Sequence, residues 1–119
     1  RSGRGNLGHA LETAVLIELE RRRCAVTYVR TPDGFEVDFL AREPDGREHL
    51  IQVCADASAA DTAARELRAL HAARKSHPEA RPWLLTLTRD GAPPGAEGMT
   101  VQPAYQWMLA GPLPEESEA

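Results

Sequence analysis

Lysine is almost missing from this chain: Lys75 stands alone beside 13 arginines. Cationic side chains total 14 against 18 carboxylates, a formal net charge of −4. That balance excludes a simple polycation that coats nucleic acid, because such binding runs on phosphate neutralisation. It leaves room for a local basic cleft. Cysteine is scarce too. Cys24 and Cys54 stand far apart and form no CxxC pattern, so they read as free, buried thiols. The four histidines, His9, His49, His71 and His77, show no HxxxH spacing and none stands near a cysteine pair. No zinc site is readable from them. No apolar run approaches the ~20 residues of a membrane span. No secretory signal pattern is present either, so no membrane and a cytoplasmic location are expected. Large apolar residues are also few: Ala supplies 19 residues, while Leu, Ile, Val and Phe together supply 23 of the 119. The core is therefore modest and the helices Ala-rich. At 42% hydrophobic residues a disordered chain is excluded, and the length suits one domain. The chain opens at Arg1 rather than Met, so it is expected to be a piece of something longer.

What is present falls into alternating helix and strand patterns. Residues 1–6 are polar and Gly-rich and read as a linker. Residues 7–24 are helical in pattern, with Leu11, Val15, Leu16 and Leu19 on one face and Asn6 as the N-cap. Three strand-like runs follow, at 25–31, 35–42 and 47–55. They are separated by two Pro-Asp-Gly turns at 32–34 and 44–46, the mark of an antiparallel meander. A second helix spans 58–76, capped by Ser58 or Asp61 and stopped before Pro78. Its apolar face is Ala60, Ala63, Ala64, Leu67 and Leu70. The run at 81–88 reads as a buried central strand. A Gly- and Pro-rich loop at 90–98, a brief strand at 99–102 and a closing helix at 104–110 complete the domain. The domain is therefore residues 7–110, and residues 111–119 form a flexible acidic tail. Helix, three strands, helix, strand predicts an α/β domain with a mixed sheet.

Three positions break the apolar pattern. Glu12 lies inside the buried helical stripe, with Gly8 one turn earlier allowing close backbone approach. A carboxylate there is costly unless paired or metal-bound. Asp38 sits mid-strand, where Asp is disfavoured. Gln52 shares a strand face with Cys54. If Pro44-Asp45-Gly46 is the hairpin loop, Glu43 pairs with Arg47 and partner numbers sum to 90, placing Asp38 opposite Gln52. A bulge at Gly46 would slip this by one residue. Oxygen ligands from Glu12, Asp38 and Gln52 are the kind of set that holds Mg²⁺ or Mn²⁺.

Those residues carry a resemblance. The segment LGHALETAVLIELERRRCAVTYVRTPDGFEVDFLAREPDGREHLIQVCA resembles the PD-(D/E)xK nucleases. It looks like one particular branch, the nuclease-like C-terminal domain of a family of prokaryotic AAA-type (P-loop) ATPases. That family reads roughly Gly-x-x-x-Glu, then Glu-Val-Asp-Phe, then Ile-Glu-Val-Lys. Gly8 to Glu12 matches the first element, and Glu36-Val37-Asp38-Phe39 matches the second fully. Ile51-Gln52-Val53-Cys54 matches the third in register but not in chemistry. The resemblance covers residues 5–109. It implies a restriction-endonuclease-like three-layer core in α-β-β-β-α-β order. It also implies an N-terminal AAA-type ATPase domain as partner in the same chain, and DNA as substrate. Glu12, Asp38 and the acid position would be metal ligands, and the lysine position would act on the attacking water or the phosphate.

The departures decide the functional expectation. Gln52 brings a ligating oxygen but no charge. Cys54, at the lysine position, is neutral or anionic and has the wrong sign beside phosphate. Lys75, at the far end of the second helix, is too distant to substitute. Arg65, one or two turns into that helix, is the better replacement, although Arg does not deprotonate near neutral pH. Catalysis by Cys54 as a nucleophile lacks an activating His or Asn. The favoured expectation is a degenerate nuclease-like module with a binding or regulatory role. One alternative is an active Mg²⁺- or Mn²⁺-dependent DNA endonuclease using Glu12, Asp38 and Gln52. The other is a plain α/β scaffold, with Glu12 paired to an Arg and Asp38 facing water.

Overall fold

The same Pro-Asp-Gly punctuation shapes both hairpins. In the computed structural model, which describes residues 5–56, 60–89 and 91–112, each loop closes in the same way. Thr31 N donates to Phe35 O at 2.8 Å and Gly34 N to Thr31 O at 3.0 Å. In the second loop Glu43 N donates to Arg47 O and Gly46 N to Glu43 O, both at 2.8 Å. Gly34 and Gly46 stand at φ 90° and 93°, a left-handed conformation that a side chain would strain. These turns join β1 (Ala25–Arg30), β2 (Glu36–Arg42) and β3 (Glu48–Cys54) into an antiparallel meander. The second hairpin keeps the expected register, with Phe39 opposite Ile51 and Arg42 opposite Glu48.

α2 (Ala60–Ser76) then carries the chain over one sheet face to β4 (Arg81–Thr86), which runs parallel to β3. β5 (Thr100–Pro103) pairs parallel to β4, and α3 (Ala104–Ala110) follows it directly. The result is a five-stranded mixed sheet in the order β1-β2-β3-β4-β5. It has an apolar cluster on each face. Val37, Leu50, Cys54 and Leu84 meet Leu67, Leu70 and Ala73 of α2. On the other face Ile51, Val53, Trp83 and Leu85 meet Val15 and Leu19 of α1 (Asn6–Arg21) and Trp107 of α3. No helix among the described residues is long and apolar enough to cross a membrane.

The structure corrects several element ends. Gly5, not Asn6, is the N-cap of α1; Asn6 is its first helical residue, and no side chain caps the end. The helix stops at Arg21 because Arg23 turns left-handed, at φ 63°. Arg23 N then bonds Glu20 O at 2.9 Å and Cys24 N bonds Leu19 O at 3.0 Å, the paired bonds of a Schellman stop. Ser58 lies outside the described residues, as do 113–119 of the tail. Asp61 sits inside the first turn of α2 rather than before it, and Ala60 is exposed rather than part of the buried face. β4 ends at Thr86, two residues early, where Thr86 Oγ1 donates to Thr88 O at 2.8 Å.

β2 carries one feature the hairpin arithmetic does not contain. Thr27 pairs with Leu40, but Val29 pairs with Val37. Two residues of β2, Asp38 and Phe39, therefore face the single Tyr28 of β1. This is a β-bulge, and it lies at Asp38 rather than Gly46. Because of it Val37 and Leu40, three positions apart, pack in the same cluster.

Candidate functional site

The bulge sets the geometry of the candidate site. Regular pairing between β2 and β3 runs from Arg42↔Glu48 to Phe39↔Ile51. Beyond it two side chains take over from the backbone ladder. Gln52 Oε1 accepts from Asp38 N at 2.9 Å. Gln52 Nε2 donates to Glu36 O at 3.1 Å and to Glu66 O of α2 at 3.4 Å. Asp38 Oδ2 in turn accepts from Val53 N at 2.7 Å. Gln52 is 0% exposed and Asp38 3%. Backbone groups this deep must be paired, and these two side chains supply the partners. Asp38 and Gln52 are thus neighbours, as the pairing arithmetic requires. Their contact runs from the Gln52 side chain to the Asp38 backbone, while the Asp38 carboxylate reaches the backbone of the next residue, Val53.

Cys54 follows on β3, buried in the cluster under α2; neither cysteine is in a disulfide. Glu12 lies on the α1 stripe between the buried Gly8 and Val15, half-buried, with its Oε2 out of contact with solvent. Arg65 is exposed on α2, its Nε 3.9 Å from Glu66 Oε1.

An open cleft of about 560 Å³ lies between the start of α1, the first hairpin turn, the end of β3 and α2. Cys54 and Arg65 line it, whereas Glu12, Asp38 and Gln52 do not. Its walls carry three carboxylates that sequence reasoning passed over: Glu36, Asp56 and Glu66. Glu66 was within reach of a helical wheel, since it falls on the buried stripe with Ala63, Leu67, Leu70 and Ala73. No trio of His, Cys, Asp or Glu among the described residues is arranged to hold a metal ion.

Residues 7–107 match the family model DUF4143, a domain of unknown function. The chain belongs to the DUF4143 family. No curated protein and no solved structure matches it.

A second, smaller recess of about 130 Å³ lies on the opposite sheet face of this DUF4143 domain, between α1, α3 and β4. Trp83 and Trp107 both line it. The indole Nε1–H of Trp83 donates to His49 Nδ1 at 3.0 Å. That leaves the ring proton of His49 on Nε2, facing Glu43 Oε2 at 2.7 Å. Each indole lies under a guanidinium: Arg22 is 4.2 Å from the Trp107 ring centroid and Arg81 is 4.6 Å from that of Trp83. Arg22 is also bonded to Glu18 Oε2 and to Trp107 O, both at 2.7 Å. Cys24 completes one wall. Burial, reinforced by the Glu43 carboxylate, raises its thiol above the ordinary cysteine range, so it is a poor nucleophile.

Proposed function

We propose that this DUF4143 domain is a nuclease-like module whose hydrolytic site is degenerate, working in binding or regulation beside an AAA-type ATPase domain of the same chain. The order α1-β1-β2-β3-α2-β4 supports a restriction-endonuclease-like core, and a cytoplasmic location belongs to the same reading. The observation that carries it is the use to which Asp38 and Gln52 are put. A Mg²⁺ or Mn²⁺ ion of the expected kind needs their oxygens, with that of Glu12. The residues as placed do not fit one. Gln52 Oε1 accepts from Asp38 N–H and Asp38 Oδ2 from Val53 N–H, so both side chains are oriented to the backbone, and neither residue lines the cleft. The position where the resembling enzymes carry lysine holds a buried thiol. Among the described residues the cleft sets three carboxylates against the single guanidinium of Arg65, which opposes a phosphate backbone.

Mn²⁺ calorimetry on wild type and Asp38→Ala, followed by DNA cleavage assays with Mg²⁺ or Mn²⁺, tests this. The expected outcome is no binding in the micromolar to low millimolar range and no cleavage. Cleavage by wild type that disappears in an Asp38→Asn variant whose melting curve stays near that of wild type would support the alternative, an active metal-dependent endonuclease using Glu12, Asp38 and Gln52, with Arg65 in the lysine's place.

A further inference from the structure

The small recess under α1 and α3 is independent of the bulged site, and its chemistry points to a ligand of its own. Its apolar walls are Leu19, Ile51 and the two tryptophans. Its volume, about 130 Å³, is close to that of an apolar cavity of ~150 Å³ that accepts a benzene molecule. A nucleotide is far too large for it.

Charge decides the class of guest. Glu43 is committed to His49 and, at 3.4 Å, to Arg47. Arg22 is committed to Glu18 and to the carbonyl of Trp107. Arg81 differs. It is held over the Trp83 ring, and its one hydrogen bond goes to Thr100 Oγ1 at 3.3 Å. It has no acidic partner among the described residues, so most of its five donors remain for a guest. An aromatic recess can also hold a cation, but here both indoles already lie under guanidiniums. We propose that this recess is a binding site for a small monocarboxylate: its apolar body fills the space lined by Leu19, Ile51, Trp83 and Trp107 and its carboxylate is held by Arg81. A planar guanidinium is the side chain best shaped for such a two-oxygen partner.

The two tryptophans that line the recess are the only ones in the chain, so intrinsic fluorescence reads its occupancy directly. Wild type is titrated with benzoate to ~10 mM and, in parallel, with benzyl alcohol, which has a similar shape and no charge. Benzoate should give a saturable change, and benzyl alcohol should bind at least about tenfold more weakly. Arg81→Gln, at an exposed strand start, should lose about tenfold in benzoate affinity while its melting curve stays near that of wild type. No saturable change with benzoate overturns the proposal. Equal affinity for the two compounds overturns it as well, and this wild-type comparison decides the matter even if the variant fails to fold. Unchanged benzoate affinity in a folded Arg81→Gln removes the role of Arg81 and overturns it too.

Discussion

Gln52 shows how a residue with the look of a ligand can serve the backbone instead. Its amide satisfies the Asp38 N–H and the Glu36 carbonyl and reaches the Glu66 carbonyl across to α2. Gln52→Ala should therefore leave a buried donor and acceptor without partners and destabilise the fold by roughly 2–4 kcal/mol, measurable by urea denaturation. Gln52→Glu is the sharper test. An ionised carboxylate there would face two carbonyl oxygens, so its folded-state pKa would be raised. Stability tied to the protonated form is present at low pH and lost as pH rises. The deficit of Gln52→Glu against wild type should widen from about pH 4 to about pH 7; a deficit that narrows would contradict a backbone-bridging role for the amide. The neighbourhood of Asp38 and Gln52 was legible in the sequence because Pro44-Asp45-Gly46 fixes the register. Their use was not legible. Alternation along Glu36-Val37-Asp38-Phe39-Leu40 conceals an extra residue, since bulges follow from how both neighbouring strands pair and not from one strand's pattern.

At the scale of elements, the end of α1 is tied to α3 through a small charge relay. Glu18 accepts from Arg21 and Arg22, and Arg22 bonds the carbonyl of Trp107. The hydrogen bond from Arg21, then that from Arg22, holds the Glu18 carboxyl below the usual carboxylate range against the opposing effect of burial. A depressed folded-state pKa contributes stability above the unfolded value and loses it as pH falls through the folded one. Glu18→Gln should thus be less stable than wild type near neutrality, and the gap should close as pH falls below the ordinary carboxylate range, as parallel denaturation series would show. Helix periodicity alone placed Glu12 on the packed stripe of α1. It placed Ala60 wrongly, because an alanine fits either face, and it passed over Glu66 because a charge on a buried stripe reads as an interruption. The stop at Arg23 was also hidden, since a left-handed stop is usually written with glycine.

For the molecule as a whole, the sheet is shielded unevenly. β3 and β4 are flanked by strands on both sides and lie under helices on both faces. β1 is an edge strand with four of its six residues exposed. Amide hydrogen exchange should be slowest in β3 and β4 and, within the sheet, fastest in β1; equal protection across the sheet would show that the exposed edge strand opens only with the whole sheet. This architecture was largely readable in advance. The long apolar run at 81–88 announced a central strand, and Pro-rich turns announced the meander. What composition could not announce was the recess lined by both tryptophans, because it joins residues from five separated elements.

The bulge in β2 also implies an unusual ranking of mutations. Asp38 is the residue left over when β2 is matched to β1. Removing it would let Val37 follow Phe39 in regular alternation, with Val37 brought level with Gln52 and a backbone carbonyl brought toward the Val53 N–H. Asp38→Ala would keep the surplus residue and take away the carboxylate oxygen that accepts from Val53 N–H. Loss of a whole codon should therefore disturb the fold less than a change of one side chain, and the melting temperature of the deletion variant should exceed that of Asp38→Ala.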